Sequence, residues 1–143
     1  MSKGFEKFLL SCVNKYDNST IKEAMLYSLD GGHRFRPEII FAICKGFDIE
    51  ERRAYPAAAA LEFIQTYSLI HDDLPAMDND DYRRGKYSTH KKYGEAIGIL
   101  TGDALLTHAF SILGNSKNNY DGELVKNLVF DLAEFSGLNG MIY

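Results

Sequence analysis

The chain has 143 residues, of which 45% are hydrophobic and 25% charged, a balance that suits one soluble globular domain with a sizeable core. Its formal net charge of −4 argues against a broad nucleic-acid-binding face. No apolar run approaches the ~18 residues of a membrane span, and the opening MSKGFEKFLL lacks a signal-peptide core, so no membrane insertion and a cytoplasmic location are expected.

Residues 3–16 place Phe5, Phe8, Leu9, Cys12, Val13 and Tyr16 at helical spacing, which predicts an amphipathic helix. Asn18-Ser19-Thr20 breaks it. Thr20 with Glu23 reads as a capping box for a second helix to Leu29, stopped by Gly31-Gly32. Cys12 and Cys44, the two cysteines of the chain, fall on apolar helical stripes without metal-type spacing and read as reduced core thiols. Gly31-Gly32-His33-Arg34-Phe35-Arg36-Pro37 follows as a glycine turn rich in positive charge, with Pro37 in the first turn of a helix over 37–47. Main-chain N–H groups, a helix N-terminus and arginines together suit an anion. A plain helix–helix turn with exposed charges is the alternative for this segment taken alone.

After an acidic linker, Asp48 to Glu51, a long helix is predicted from about residues 53–56 to Asp73, with Ala57 to Ala60 permitting close packing. It runs from apolar residues into acid: Asp72, Asp73, Asp78, Asp80 and Asp81, then Arg83, Arg84 and Gly85. Carboxylates this dense resist burial, so a helix ending this way calls for a counter-charge. Mg²⁺ supplies one, because it takes oxygen ligands and is often held by one or two carboxylates plus substrate phosphates. Arginine pairs with phosphate oxygens through two N–H groups, so the same stretch suits a diphosphate. The competing reading is an acidic, solvated loop. A calcium loop fails, since counting from Asp78 puts Arg83 at the glycine position and Thr89 at the final glutamate position.

Residues 82–89 form a basic, polar loop, extended by Lys86, His90, Lys91 and Lys92. A helix over 95–113 follows, in which Gly98, Gly102 and Ala104 allow tight packing. Asp103 in that apolar helix needs a partner, His90 or an arginine, while His108 reads as a core or helix-surface residue. A turn over 114–122 leads to a last helix over 123–136, with Leu124, Val125, Leu128, Val129, Leu132 and Ala133 on one side.

The segments Asp72-Asp73-Leu74-Pro75-Ala76-Met77-Asp78 and Arg83-Arg84-Gly85 closely resemble the first aspartate-rich motif of the trans-prenyltransferases, the isoprenyl diphosphate synthases. The two extra residues, one of them Pro75, make it similar to the bacterial farnesyl diphosphate synthase type. On an unbroken helix Asp72 and Asp78 would sit roughly 120° apart. Pro75 predicts a kink or bulge that brings Asp78 back. Gly31 to Pro37 resembles the family's GGKRxRP segment, with His33 where the family usually has Lys, and Gly102-Asp103-Ala104-Leu105 resembles a family segment of the central bundle.

The resemblance implies an all-α, isoprenoid synthase-like bundle, with residues 1–143 as its N-terminal half, before a second Asp-rich motif. It implies an Mg²⁺-dependent prenyltransferase, with Mn²⁺ as an alternative ion, that condenses isopentenyl diphosphate with dimethylallyl or geranyl diphosphate. Asp72 and Asp78 would hold the metal and Asp73 would support its shell. Arg83 would bind the allylic diphosphate. His33, Arg36, Gln65 and Arg84 would hold isopentenyl diphosphate. Tyr67, five residues before Asp72 and so about 7.5 Å up the helix axis, would floor the chain-length pocket beside the small Ser68, implying a farnesyl product. As partners the resemblance implies prenyl diphosphates and a homodimer or a C-terminal half. The isolated chain is expected not to turn over. Two other readings stand beside it. One is a non-catalytic subunit that binds prenyl diphosphate. The other is an HD-type metal phosphohydrolase spelled by His33, His71-Asp72 and Asp103.

Overall fold

A computed structural model describes residues 2–142 as an all-α bundle with one small hairpin. Helix α1 spans Lys3–Asn14, α2 Thr20–Leu29 and α3 Phe35–Gly46. A 3-10 turn at Glu51–Ala54 leads into α4, Tyr55–Asp72. The strands β1, Tyr82–Arg83, and β2, Lys86–Tyr87, precede the short α5, Thr89–Tyr93. Helix α6, Glu95–Leu113, and α7, Gly122–Ser136, complete the bundle, with a 3-10 turn at Ser116–Asn118 between them.

Side-chain caps start α1, α2 and α7, and two helix starts differ from expectation. Ser19, one residue before Thr20, caps α2: its Oγ accepts from Lys22 N–H at 3.0 Å. Ser2 does the same for α1 and Asp121 for α7. Helix α3 starts two residues earlier than Pro37 suggests, because Arg34 takes the left-handed conformation (φ +55°) and turns the chain into the helix at Phe35.

Helix α4 is the axis of the core. Ala58, Ala59, Ala60, Phe63 and Ile64 are fully buried, meeting Phe5, Leu9 and Val13 of α1, Leu29 of α2, Phe41 of α3 and Leu105, Ala109 and Leu113 of α6. Phe5, Phe41 and Tyr55 pack edge to face, with ring centroids 5.3–5.7 Å apart. Helix α7 lies on the edge of this core: Leu128, Val129 and Leu132 are partly buried against it, but Leu124 stays exposed. Helix α6, with mean hydropathy 1.5 over its best window, is long and apolar enough to cross a membrane, contrary to the sequence expectation. Its packing explains part of the composition: it is the principal neighbour of α4, and Leu105, Ala109, Ile112 and Leu113 fill the shared core, while Ile99 and Leu100 stay exposed.

Small residues set how closely α6 approaches α4. A Cβ placed on Gly102 would collide with the His71 ring. Alanine in an ordinary helix interior stabilises by about 1 kcal/mol relative to glycine. At Gly102 overpacking, at about 1–3 kcal/mol, reverses that sign. Gly102→Ala is therefore expected to lower the unfolding free energy in a urea titration, and an increase would contradict this packing.

Candidate functional site

Helix α4 ends at Asp72, and the chain then turns tightly rather than kinking. Asp73 is the C-cap and Pro75 lies beyond the helix. Leu74 O accepts from the N–H groups of Met77 and Asn79, at 2.9 and 3.0 Å. Asp78 N–H donates to Asp72 O at 2.8 Å, and Asp80 N–H to Asp73 O at 3.0 Å. Those bonds fold Asp78 back onto the helix end beside Asp72. Ser88 Oγ–H and His90 Nε2–H both donate to Asp80 O at 2.7 Å and fasten the acidic turn from the other side. His90, read in the sequence as part of a solvated basic loop, is buried in this role.

The first two aspartates divide the work. Asp73 is 1% exposed and forms a two-point ion pair with Arg83: Nε to Oδ2 and Nη2 to Oδ1, both 2.8 Å. That pair raises the Arg83 pKa, chiefly through its hydrogen bonds to Asp73. Arg83, expected to face a diphosphate, thus has two of its three nitrogens engaged. Asp72 is exposed; partial burial, then the charges of Asp78 and Asp73, push its carboxyl above the usual aspartate value. A carboxylate pressed by like charges is suited to a cation.

Among the described residues no three His, Cys, Asp or Glu side chains converge to enclose a metal alone. The donor set still fits Mg²⁺, which two carboxylates hold while water and phosphate oxygens complete its shell. It does not fit the HD-type reading: His33 lies in the α2–α3 turn, and Asp103, at 3.7 Å from His71 Nε2, is 57% exposed on its side chain. Asp103 is thus exposed beside His71, whose Nε2 is hydrogen-bonded to Ile99 O at 3.0 Å, and is not partnered by the expected His90 or an arginine.

A second ionic group lies about two to three turns earlier on α4. Glu62 is buried, and Arg34 Nη1 lies 3.5 Å from its Oε1. Burial pushes the Glu62 carboxyl up, while Arg34, then Arg36 and Arg84, pull it down. Arg36 and Arg84 are thus both within electrostatic reach of this point, with half-buried Gln65 one turn on. His33 and Arg36 are exposed. Arg84 N–H donates to Asp30 O at 3.2 Å, and burial followed by repulsion from Arg83 and Arg34 lowers its pKa. The hairpin that carries the two arginines turns on Arg84 and Gly85, both with positive φ (53° and 77°), the geometry of a two-residue hairpin turn. It docks on α2 through Tyr27, whose O–H donates to Tyr87 O at 2.6 Å and whose ring carries Lys86 Nζ at 4.1 Å.

Beside the acidic turn opens a cleft of about 610 Å³, lined by Tyr67, Ser68, His71, Asp72, Met77 and Ile99 among others. Tyr67 is mostly buried, with its ring edge-on to His71 at 5.3 Å. Ser68 Oγ–H donates to Gln65 O at 2.7 Å, so its hydroxyl is turned to the helix and leaves little bulk in the cleft. The acids, the turn between α2 and α3 and the apolar cleft all lie along one helix, α4.

A polyprenyl synthetase family model matches residues 18–139. The chain belongs to the polyprenyl synthetase family. It is 48% identical to a farnesyl diphosphate synthase of Micrococcus luteus, over 93% of this chain and 46% of that protein. It is 46% identical to a chloroplastic geranylgeranyl pyrophosphate synthase of Catharanthus roseus, over 85% of this chain and 34% of that one. A geranyltransferase structure from Legionella pneumophila superposes with a TM-score of 0.91 at 38% identity, covering 98% of this chain and 50% of that one. The chain thus spans between a third and a half of the length of these relatives, and the isoprenoid synthase-type all-α fold is shared.

Residue-by-residue reading missed Glu62 and the Ser88–His90 clamp, and it took Arg34 for a residue of the anion turn where the structure buries it against Glu6 and Glu62. Glu62 carried a signal: a charged residue inside Ala-Ala-Ala-Leu-Glu-Phe-Ile must find a partner if the helix is buried.

The raised Asp72 pKa has a direct consequence for stability. The folded state binds that proton more tightly than the unfolded chain, so ionising Asp72 destabilises the fold. The loss develops as pH rises through the usual aspartate value to the folded one, and stays constant above it. Asp72→Asn is expected to raise Tm at pH 7 without divalent cations, with the gain shrinking as pH falls through the carboxylate range. Melting curves across pH check this; a variant less stable than the parent at neutral pH would contradict the assigned electrostatics.

Proposed function

We propose that this chain carries the first aspartate-rich half of a prenyltransferase site. In the complete protein that site condenses isopentenyl diphosphate with dimethylallyl or geranyl diphosphate to give farnesyl diphosphate. The observation that carries the reading is the return of Asp78 onto the end of α4 beside Asp72, with Arg83 and Arg84 delivered by the next hairpin.

Asp72 and Asp78 would hold Mg²⁺, or Mn²⁺ in its place. When bound, such an ion neutralises charge that develops on a leaving diphosphate. Asp73 fixes Arg83, whose remaining Nη1 is the group left for the allylic diphosphate. His33, Arg36, Gln65 and Arg84 would hold the diphosphate of the second substrate further back along α4. In the condensation the allylic carbon–oxygen bond breaks and the isopentenyl double bond supplies the electrons of the new carbon–carbon bond. The proton then lost goes to the leaving diphosphate. The apolar cleft takes the hydrocarbon chain and keeps water from the cation.

Farnesyl and geranylgeranyl synthases both stand among the relatives, so product length rests on the cleft itself. Tyr67 lines it about one turn and a half from Asp72 and would floor the growing chain there, which favours the shorter product. Exposed Phe130, Phe135 and Leu138 near the C-terminal end, and Phe35, Ile39 and Ile43 on α3, suit burial against a second copy or against further helices of the bundle. A reducing cytoplasm suits the unpaired Cys12 and Cys44; burial pushes the Cys12 thiol up to about 11, keeping it unreactive.

Two experiments test the reading. Asp72→Ala with Asp78→Ala should abolish Mg²⁺-dependent binding of a non-hydrolysable allylic diphosphate analogue, a loss of at least about 100-fold if the metal bridges protein and ligand. Calorimetry giving equal affinity for both proteins, with circular dichroism unchanged, would remove the metal bridge. In the complete enzyme, Tyr67→Ala should shift the product towards longer chains. A product distribution that ignores the change would remove Tyr67 as the floor.

A further inference from the structure

The turn between α2 and α3 carries two arginines, and they do opposite things. Arg36 is exposed, whereas Arg34 is 4% exposed with its guanidinium turned inward. Its Nε and Nη2 donate to the two Glu6 carboxylate oxygens at 2.6 and 3.2 Å, and Nη2 also donates to Leu29 O at 2.7 Å. Its Nη1 makes no hydrogen bond and faces Glu62 Oε1 at 3.5 Å. One guanidinium therefore ties α1, the end of α2 and the middle of α4. The surroundings are shaped for it: a Cβ on Gly32 would collide with Nη1, and Arg34 itself accepts a left-handed backbone.

We propose that Arg34 is a positioning residue of the diphosphate site formed by His33, Arg36, Gln65 and Arg84: it takes up the charge of buried Glu62, so that Arg36 and Arg84 stay available to the incoming anion. This rests on the reading of that site given under Proposed function. The argument is one of competition. Glu62 is buried, and after Arg34 the positive charges that act on it most are Arg36 and Arg84. Without Arg34 a buried carboxylate would be left without its nearest counter-charge, a state costly enough to draw in the next available cation. Those cations are the two arginines assigned to the ligand, and an arginine paired with Glu62 is lost to a diphosphate. Glu6 holds the guanidinium fork in register while keeping part of its own charge in solvent, with a side chain 28% exposed. Lysine cannot replace this geometry, since an ammonium lacks the planar fork that spans Glu6, Leu29 O and Glu62.

The test is calorimetric titration of the 143-residue chain with inorganic pyrophosphate, first without divalent cation and then with Mg²⁺. Arg34→Met should weaken the metal-free binding by about tenfold, as loss of one charge-assisted contact would, and Arg34→Lys should not restore it. Arg34→Met combined with Glu62→Gln should recover most of the affinity, because the competing carboxylate is gone. Glu62→Gln alone should bind pyrophosphate more tightly than the parent, and it decides the matter if Arg34→Met does not fold. Parental affinity in Arg34→Met, a double variant as weak as the single one, or weaker binding by Glu62→Gln would each overturn the proposal. A parent chain that binds no pyrophosphate under either condition would overturn the diphosphate reading beneath it, and is distinguishable from those outcomes.

Discussion

A helix buried along its length has to shed its charge somewhere, and α4 does so at two places. About three and a half successive turns of it are lined by Ala58, Ala59, Ala60, Phe63, Ile64, Tyr67 and Ile70, all buried. In such surroundings an unpaired carboxylate is heavily penalised, so each acid on α4 must be matched or brought to the surface. Glu62 is matched by Arg34, Asp73 by Arg83, and Asp72 reaches solvent at the helix end. The rest of the site follows from those three outcomes. The αL backbone at Arg34 sets the start of α3. The Asp73–Arg83 pair sets where the hairpin lies. The exposed Asp72 is the one acid of the three left to act on a ligand.

The ion pair between Asp73 and Arg83 also explains how a short hairpin can be ordered. Two residues per strand give too little backbone pairing to hold a hairpin in water. Here it is pinned from both faces: by Asp73 on one side, and on the other by Tyr27, Lys86 and the contact between Ser28 Oγ and Thr89 Oγ1 at 2.7 Å. Removing a partner from a buried carboxylate would leave it uncompensated, so Arg83 is as much part of the fold as of the site.

Much of this was legible in the residues. Helical periodicity located all the long helices, because a 3.6-residue repeat survives in the pattern whatever packs against it. The acidic run was legible because charge density at the end of an apolar helix has few physical explanations. The hairpin at 82–87 was not, since its register depends on Tyr27 and Asp73, which lie far away in sequence. Asp103 misled for the opposite reason. Its helix is apolar enough to suggest burial all round, yet one face is open and the aspartate sits on it. Arg34 and Arg36 look equivalent in sequence; only the positions of Glu6 and Glu62 separate the inward one from the outward one. Pro75 was expected to bend α4, and instead it follows a helix already closed at Asp72, because Leu74 O is taken by the acidic turn.

The adjacent arginines show why the sequence spacing is what it is. Glu62 and Asp72 are ten residues apart on α4, about 15 Å along its axis. Two ionic groups, Glu62 with Arg34 and Asp73 with Arg83, therefore sit well apart on one helix. A single short hairpin must nonetheless supply a cation to each. Arg83 closes β1 and Arg84 opens the turn in a left-handed conformation, so the two neighbours diverge. Arg83 goes to Asp73 at the helix end, and Arg84, turned further by its positive φ, goes back towards Asp30 and Glu62. Gly85 is then the residue that lets the turn close, with φ +77° and open space around it. Arg-Arg-Gly is in this sense a geometric statement: one arginine for each ionic group and a glycine to return the chain.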